Sequence, residues 1–171
     1  DMVAYATAYK ERGINYICDP GQSLTAWEGR ALTEWIDGSM LLISNDYELE
    51  LIMKITGLDK RGLLRLTKTV VTTLGEKGSL ISVPGDDMRI AAAEIHKVVD
   101  PTGAGDAFRA GLIKGLVTGN DITTAAKMGS VAAAYAVETY GTQEHYYSFE
   151  DFLKRYQRNF GDLEWGSALT P

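Results

Sequence analysis

Short apolar segments alternate with helix-like segments along the first 74 residues, and this alternation restricts the fold more than any other feature. Three apolar runs predict buried strands, at residues 14–18, 40–43 and 70–74. The segments around them predict helices, at residues 2–12, 28–36, 46–55 and 61–66. Strands that alternate with helices at this spacing are typical of parallel βαβ units. We therefore expect an α/β fold in which a mostly parallel sheet is flanked by helices on both faces.

The pattern changes after residue 78. Two short strands, at residues 79–83 and 88–94, flank a Pro-Gly-Asp-Asp turn and predict an antiparallel hairpin. The segments that follow the next extended stretch predict helices, at residues 107–117, 123–140 and 149–160. The tail from Gly161 to Pro171 has no clear periodicity, and we expect it to be loosely attached. Since no repeat or linker divides the chain, a single domain is expected.

Composition excludes several classes of protein. A net charge of −6 provides no general field to attract nucleic acid or an anionic membrane. Cys18 is the only cysteine, so an internal disulfide is excluded and a reducing compartment is favoured. No apolar run approaches the roughly 18 residues that a membrane span requires, and the chain does not open with a secretory signal. We expect a cytoplasmic protein with no nucleic-acid or membrane partner.

The strongest functional signal is the stretch at residues 100–111, which reads Asp-Pro-Thr-Gly-Ala-Gly-Asp-Ala-Phe-Arg-Ala-Gly. Gly103, Ala104 and Gly105 are small enough for a tight turn that aims successive N–H groups at one point. Because a helical run follows at once, these groups form an anion site at a helix N-terminus. Asp106 adds a carboxylate, which suits phosphoryl transfer to a hydroxyl. The spacing alone equally allows an ordinary loop with Asp106 in a first helical turn.

A second motif, Asn45-Asp46-Tyr47-Glu48, lies where the second strand passes into a helix. Open α/β sheets bind ligands at such junctions. Asn45 with Glu48 three residues later is also the pattern of a capping box, and taken alone this structural interpretation is the better one. The functional alternative is that Glu48 holds water molecules of a magnesium ion on ATP, because magnesium keeps several waters and needs few protein ligands.

A third motif, Thr73-Leu74-Gly75-Glu76-Lys77-Gly78, follows the third strand. Its simplest interpretation is a glycine-containing hairpin turn. Its functional interpretation is that Gly75 and Gly78 let a nucleotide approach the backbone while Thr73 donates its hydroxyl to a phosphate. This signal is weak alone and becomes stronger because it falls at the same predicted sheet edge as Asn45 and Gly103.

The three motifs together resemble those of the PfkB (ribokinase-like) family of carbohydrate and nucleoside kinases, and they occur in the family's order. The stretch at residues 100–106 resembles the family's second signature, Asn45-x-x-Glu48 its magnesium motif, and Thr73-x-Gly75-x-x-Gly78 its ATP-loop motif. The resemblance implies a ribokinase-like fold. It also implies an ATP-dependent phosphotransferase that acts on a hydroxyl of a small-molecule sugar or nucleoside, with adenosine or ribose as the leading acceptors.

The resemblance also implies roles for single residues. Asp106 would be the base for the substrate hydroxyl, and the amides of Gly103, Ala104 and Gly105 would form the anion hole. Asn45 and Glu48 would hold Mg-ATP through water molecules, and the donor nucleotide would be lined by Thr73, Gly75 and Gly78. In the family members that bind potassium, the matching positions are Asp100 and the carbonyl of Thr102. Arg109 has two open interpretations, a contact with phosphate or substrate and an ion pair with an acidic surface residue.

The resemblance covers the C-terminal half of such a kinase. The family's glycine-rich substrate signature and β-sheet lid have no counterpart here. We therefore expect residues 1–171 to be the C-terminal part of a ribokinase-like kinase domain, with the ATP site and the catalytic base but without the N-terminal substrate and lid half.

Two alternatives and one open question accompany this interpretation. The main alternative is a catalytically incomplete nucleotide-binding fragment or module. A dinucleotide-binding oxidoreductase is a poorer one, because Asp19-Pro20-Gly21 stands where its Gly-x-Gly-x-x-Gly fingerprint would follow the first strand. The oligomeric state is not determined by the sequence, and a homodimer is open.

Overall fold

The computed structural model describes residues 2–163, which belong to two compact units. The first unit contains the chain up to Leu74 together with Leu80–Met88, and the second contains Gly75–Ser79 and the chain from Arg89 onward. The predicted loose tail, Gly161 to Pro171, lies outside the described residues from position 164 on.

Helices and strands alternate through the first unit as the sequence predicts. Its helices are α1 (Met2–Glu11), α2 (Gly29–Ile36), α3 (Asp46–Thr56) and α4 (Lys60–Leu66), with a 3₁₀ turn at Gly21–Ala26. The strands are β1 (Ile17–Cys18), β2 (Leu41–Asn45), β3 (Val70–Thr73), β4 (Ser79–Val83) and β5 (Asp86–Ile90). They form one sheet in the order β1-β2-β3-β4-β5, in which β1, β2 and β3 run parallel. The mostly parallel α/β sheet with flanking helices is confirmed.

Four helices of the first unit pack on one set of strand residues. Cys18, Leu42 and Val70 form one buried core with side chains from helices α1 to α4, such as Leu32 and Ile52. The neighbouring strand positions Leu41, Ile43 and Val71 are equally buried. Strands buried on both sides read as continuous apolar runs, which explains why apolar runs located β2 and β3 to within two residues at each end.

The first strand and the hairpin differ from the expectation. The strand predicted at residues 14–18 is reduced to Ile17–Cys18, because the N–H of Ile14 still bonds the carbonyl of Tyr9 and ends helix α1. In the hairpin, the turn takes only the two residues Pro84 and Gly85, so β5 begins at Asp86 and ends at Ile90 instead of spanning residues 88–94.

The second unit contributes three helices, α5 (Ala104–Val117), α6 (Ile122–Val137) and α7 (Phe149–Phe160). Helix α7 has its predicted limits, whereas α6 ends three residues before the predicted Tyr140 and α5 begins three residues before the predicted Ala107. The earlier start of α5 follows from Gly103, whose φ of 84° lets the chain turn directly into the helix. Asp106 therefore lies in the first turn of α5.

The N-terminus of α6 is capped by Asp121. Its Oδ1 accepts hydrogen bonds from the N–H groups of Thr123 (2.8 Å) and Thr124 (2.9 Å). The hydroxyl of Thr123, followed by the N–H of Thr124, holds the pKa of Asp121 below its ordinary value.

We expect Asp121→Ala to lower the free energy of unfolding by about 1 kcal/mol at neutral pH. Since the folded-state pKa is depressed, this stabilisation is complete above the unfolded-state pKa and is lost as the pH falls through the folded value. The difference from the unchanged protein should therefore shrink below about pH 4. Urea unfolding of both proteins at neutral pH and below about pH 4 measures this difference in the free energy of unfolding. Asp121→Asn, which retains a capping oxygen, is the control. A difference that is the same at both pH values would contradict this account.

Candidate active site

The capping box that the sequence predicts at the start of α3 is present. The N–H of Glu48 donates to Oδ1 of Asn45 at 2.7 Å, and the N–H of Asn45 donates to Oε2 of Glu48 at 2.8 Å. Both side chains are thereby held at the carboxyl end of β2. The box uses only one of the two carboxylate oxygens of Glu48, so a further polar contact at Oε1 is compatible with it.

Thr73 lies next to this capping box. In the parallel pairing of β2 with β3, Asn45 stands opposite Thr73, so the last residues of the two strands meet at one sheet edge. Both positions are partly exposed. The structure thus brings together Asn45, Glu48 and Thr73, as expected from the rule that parallel strands present their carboxyl ends to a ligand.

The two glycines after Thr73 have different surroundings. They belong to a short connection with a 3₁₀ turn at Gly75–Lys77, which is too short for a parallel crossover and makes β3 and β4 a hairpin. A Cβ on Gly78 would lie 2.0 Å from the carbonyl oxygen of Ile90, so glycine is required there by backbone packing. A Cβ on Gly75 would meet no atom within 4 Å. Open space at Gly75 is compatible with a nearby ligand.

The first turn of α5 is compatible with the predicted anion site. Gly103 is the N-cap with a φ of 84°, and a Cβ there would lie 2.9 Å from the carbonyl oxygen of Thr142. The N–H groups at the first positions of a helix have no partner within the helix. The N–H of Ala104 already donates to the carbonyl of Pro101 at 3.2 Å. Of the N–H groups of Ala104 and Gly105, that of Gly105 is therefore better placed to bind an anion.

Asp106 presents its carboxylate to solvent at this turn. Its side chain is 88% exposed, whereas that of Arg109, one helical turn later, is only 24% exposed. Nη1 of Arg109 lies 3.7 Å from Oδ1 of Asp106. The same nitrogen lies 2.8 Å from the position that a Cβ on Gly105 would take. The structure shows an ion pair between Arg109 and Asp106, and a contact of Arg109 with phosphate or substrate stays a prediction.

Asp100 is held in a hydrogen-bonded turn before the helix. Its Oδ1 accepts from the N–H of Thr102 at 2.9 Å and its Oδ2 from the N–H of Gly141 at 3.1 Å. The hydroxyl and N–H of Thr102, together with the N–H of Gly141, lower the pKa of Asp100. An ionised carboxylate with spare lone pairs is a suitable ligand for a cation such as potassium.

The loop at residues 141–142 was not found by sequence reasoning. Gly141 binds Asp100, and the backbone of Thr142 closes over Gly103. The only signal in the sequence was a glycine shortly after a helix, which is common at helix ends. The predicted site residues therefore fall into two groups. Asn45, Glu48 and Thr73 are together in the first unit, and the residues from Asp100 to Asp106 are together in the second.

The remaining residues with metal-binding or nucleophilic side chains form no metal centre in the described part of the chain. Among residues 2–163 there is no cluster of three or more His, Cys, Asp or Glu side chains that could hold a metal ion. Cys18 is completely buried, and this burial raises the pKa of its thiol, as expected for a core residue. No helix in the described part of the chain is long and apolar enough to cross a membrane.

The family model of the pfkB family carbohydrate kinases matches residues 1–147. The chain therefore belongs to this family, as its three motifs suggested.

Individual relatives agree with this assignment. The nucleoside kinase of Methanocaldococcus jannaschii is 30% identical over 153 residues, which cover 89% of this chain and 51% of that protein. Its crystal structure, described as an archaeal member of the ribokinase family, has a TM-score of 0.81, with 29% identity over 85% of this chain and 48% of that one. The ribokinase-like fold is confirmed.

A bacterial relative has a higher structural similarity. The structure of Burkholderia thailandensis nucleoside kinase in complex with inosine has a TM-score of 0.92 and 31% identity, covering 98% of this chain and 55% of that one. A second structure of the same kinase is described as its complex with ADP-inosine. The chain thus spans about half the length of the relatives that it matches.

Proposed function

We propose that the full-length protein is an ATP-dependent kinase that transfers the γ-phosphate of Mg-ATP to a hydroxyl of a nucleoside or sugar. The observation that carries the proposal is the first turn of α5, where an amide turn starting at Gly103 lies beside the exposed carboxylate of Asp106. A helix N-terminus stabilises negative charge, so it can hold a carboxylate and a phosphate next to each other. Phosphoryl transfer to a hydroxyl requires both groups, an anion hole and a proton acceptor.

The roles of these residues follow from the chemistry of the transfer. The bond from the γ-phosphorus to the bridging oxygen breaks and its electron pair stays on ADP, while a new bond forms to the acceptor oxygen. The acceptor proton goes to Asp106, and the N–H groups at the start of α5 donate to the phosphoryl oxygens. With a loose transition state the hydroxyl needs little activation, so a carboxylate of ordinary basicity is sufficient.

The capping box is compatible with a magnesium site. Because Glu48 uses only Oε2 in the box, Oε1 can hold a water molecule of a magnesium ion, and Asn45 keeps the carboxylate in place. When bound, magnesium would neutralise the phosphate charge of ATP. Thr73 lies at the same sheet edge as Asn45 and, with Gly75 two residues later in the chain, would contact the donor nucleotide.

Two substitutions of Glu48 separate capping from metal binding. We expect Glu48→Gln to keep the melting temperature close to that of the unchanged protein, because an amide oxygen can accept the same hydrogen bond. Binding of Mg-ADP should weaken about tenfold, since the neutral side chain holds metal-bound water less strongly. Glu48→Ala should lose both stability and affinity. Titration calorimetry with and without magnesium measures these effects, and equal affinity of Glu48→Gln and the unchanged protein would remove Glu48 from the site.

A nucleoside is the acceptor that the comparisons favour. The two relatives described above are nucleoside kinases, and the bacterial one is described in complex with inosine. We propose adenosine as the first acceptor to test, with inosine and ribose next. ADP release by the full-length protein can be followed with each compound in turn. A protein that phosphorylates neither nucleosides nor pentoses nor hexoses would exclude the proposed activity.

The alternative of an incomplete nucleotide-binding module is supported by one observation, the coverage of only about half of the matched kinases. We propose that residues 1–171 supply the donor site and the base and that other residues of the full-length protein hold the acceptor. A chain of 1–171 that binds Mg-ADP without turnover, beside an active full-length protein, would support this division. A potassium requirement would be supported by turnover that depends on potassium and is reduced in Asp100→Asn.

Assembly and location are further proposals. A homodimer can be tested by light scattering of the full-length protein. Cys18 is buried and forms no disulfide, which is compatible with a cytoplasmic location.

A further inference from the structure

The segment that leads from β5 towards α5, residues 91–100, is neither helix nor strand. Because this connecting segment has no hydrogen-bond ladder of its own, its backbone N–H groups depend on other partners. The N–H of Ala93 donates to Oγ of Ser130 in α6 at 2.8 Å, and that of Glu94 donates to Oδ1 of Asn159 in α7 at 2.7 Å. Side chains of these two helices therefore hold the first part of the connecting segment.

The end of α6 holds the last part of the connecting segment. The carbonyl oxygen of Val137 accepts hydrogen bonds from the N–H groups of Val99 (2.9 Å) and Asp100 (3.1 Å). Glu138, the C-cap residue of α6, accepts at Oε1 from the N–H of His96 at 2.7 Å. The turn of Asp100 and the first turn of α5 follow directly along the chain, so the end of α6 fixes the point from which they start.

Glu138 is itself fixed by Arg155 of α7. Nη2 of Arg155 lies 2.6 Å from Oε1 of Glu138, and the two side chains are only 6% and 18% exposed. The guanidinium carbon lies 4.2 Å from the centre of the Tyr135 ring, a cation–π contact that restricts its orientation. Burial by itself would raise the pKa of Glu138, but the hydrogen bonds from Arg155 and His96 lower it below its ordinary value. Glu138 is therefore a carboxylate at neutral pH that joins α7 to the connecting segment.

Stability is a weak explanation for this ion pair. Replacing a buried ion pair by apolar side chains of similar volume is often neutral or stabilising, whereas removing one partner leaves a charge without compensation. Nη1 of Arg155 is also buried without a hydrogen-bond partner in the described part of the chain, which lowers the net gain further. What the pair does provide is a fixed position for the carboxylate that binds the connecting segment.

We propose that Glu138 and Arg155 are positioning residues for phosphoryl transfer, which hold the connecting segment so that the Asp100 turn and the first turn of α5, with Asp106, keep their reactive geometry. This inference rests on the proposed kinase function and adds two residues to it. Both act through the backbone and not by contact with the reacting atoms. Since a displacement of about 1 Å can lower a rate about 100-fold, loss of the pair should affect kcat more than KM.

A double substitution separates positioning from stability. Glu138→Met combined with Arg155→Met replaces both partners by apolar side chains, so we expect a melting temperature close to that of the unchanged protein. In steady-state kinetics of the full-length protein, kcat should fall about 100-fold while KM for the acceptor and for Mg-ATP changes less than about threefold. Arg155→Met alone should lose both stability and turnover, because Glu138 keeps a buried charge. Arg155→Lys keeps the charge without the planar fork and should lower kcat about tenfold.

The first unit offers a control for lost stability alone. Ser39 and Thr67 form a buried pair of hydroxyls, with Oγ of Ser39 2.9 Å from Oγ1 of Thr67. Thr67→Val removes this partner from Ser39 and should lower the melting temperature. Its kcat should stay within about threefold of that of the unchanged protein. All proteins are assayed at a temperature at which circular dichroism shows them to be folded.

The proposal is overturned if the double variant keeps kcat within about threefold of the unchanged protein, and Arg155→Lys is judged by the same limit where the double variant does not fold. It is also overturned if Thr67→Val loses as much turnover as the double variant, or if KM rises while kcat stays. An inactive unchanged protein contradicts both this inference and the kinase function. An active protein in which Asp106→Asn abolishes turnover while the double variant does not contradicts only the positioning role.

Discussion

Asp106→Asn is expected to lower kcat of the full-length protein about 1,000-fold while leaving the binding of Mg-ATP nearly unchanged, since general base catalysis contributes at this scale. The amide has almost the same shape as the carboxylate but cannot accept the proton of the acceptor hydroxyl. Because the side chain of Asp106 is 88% exposed, its replacement should not disturb packing. Rapid-quench measurement of phosphoryl transfer, with calorimetry for nucleotide binding, provides both quantities.

The chain offers a matched control for this substitution. Asp151 occupies the third position of α7, as Asp106 does in α5, and the side chain likewise lies in a first helical turn. Asp151→Asn removes the same charge from the same helical position without touching the proposed site. It should keep kcat close to that of the unchanged protein. If Asp106→Asn and Asp151→Asn have similar turnover, Asp106 is not the base.

Gly111→Leu is expected to lower the free energy of unfolding by at least about 3 kcal/mol, the upper range for overpacking of a core. A Cβ at this position would lie 2.7 Å from both the carbonyl oxygen of Met128 and the Cα of Gly129. These are backbone atoms of α6, so the two helices must separate to accept any side chain. Chemical denaturation measures the loss. Because α5 also carries Asp106, turnover should fall together with stability.

Two further variants show how the loss of stability depends on side-chain size and position at the contact between α5 and α6. Gly111→Ala should be less destabilising, because alanine gains about 1 kcal/mol of helix propensity over glycine and offsets part of the clash. Ala110→Leu places the same large side chain one residue earlier, at an exposed position of α5, and should change stability by no more than about 0.5 kcal/mol. A Gly111→Leu protein as stable as Ala110→Leu would show that α5 and α6 can separate without cost.

Local patterns were sufficient for the order and type of nearly all elements. Apolar runs located β2 and β3 because both faces of these strands are buried. The box at Asn45 and Glu48 was readable because helix capping depends on residues three positions apart. The turn from Gly103 into α5 was readable because glycine readily adopts the positive φ that a tight turn into a helix needs. The start of α5 at Ala104 was placed too late, since glycine and aspartate are weak helix formers.

The sequence by itself determined the family, the parallel α/β order of the first three strands and the capping box at Asn45 and Glu48. These features depend on neighbours within a few positions, where spacing is direct evidence of geometry. Only the tertiary structure decided why Gly78 and Gly111 must be glycines and that Gly141 binds Asp100. Each of these depends on how closely backbone or side-chain atoms approach in the folded chain, and a one-dimensional pattern does not record such distances.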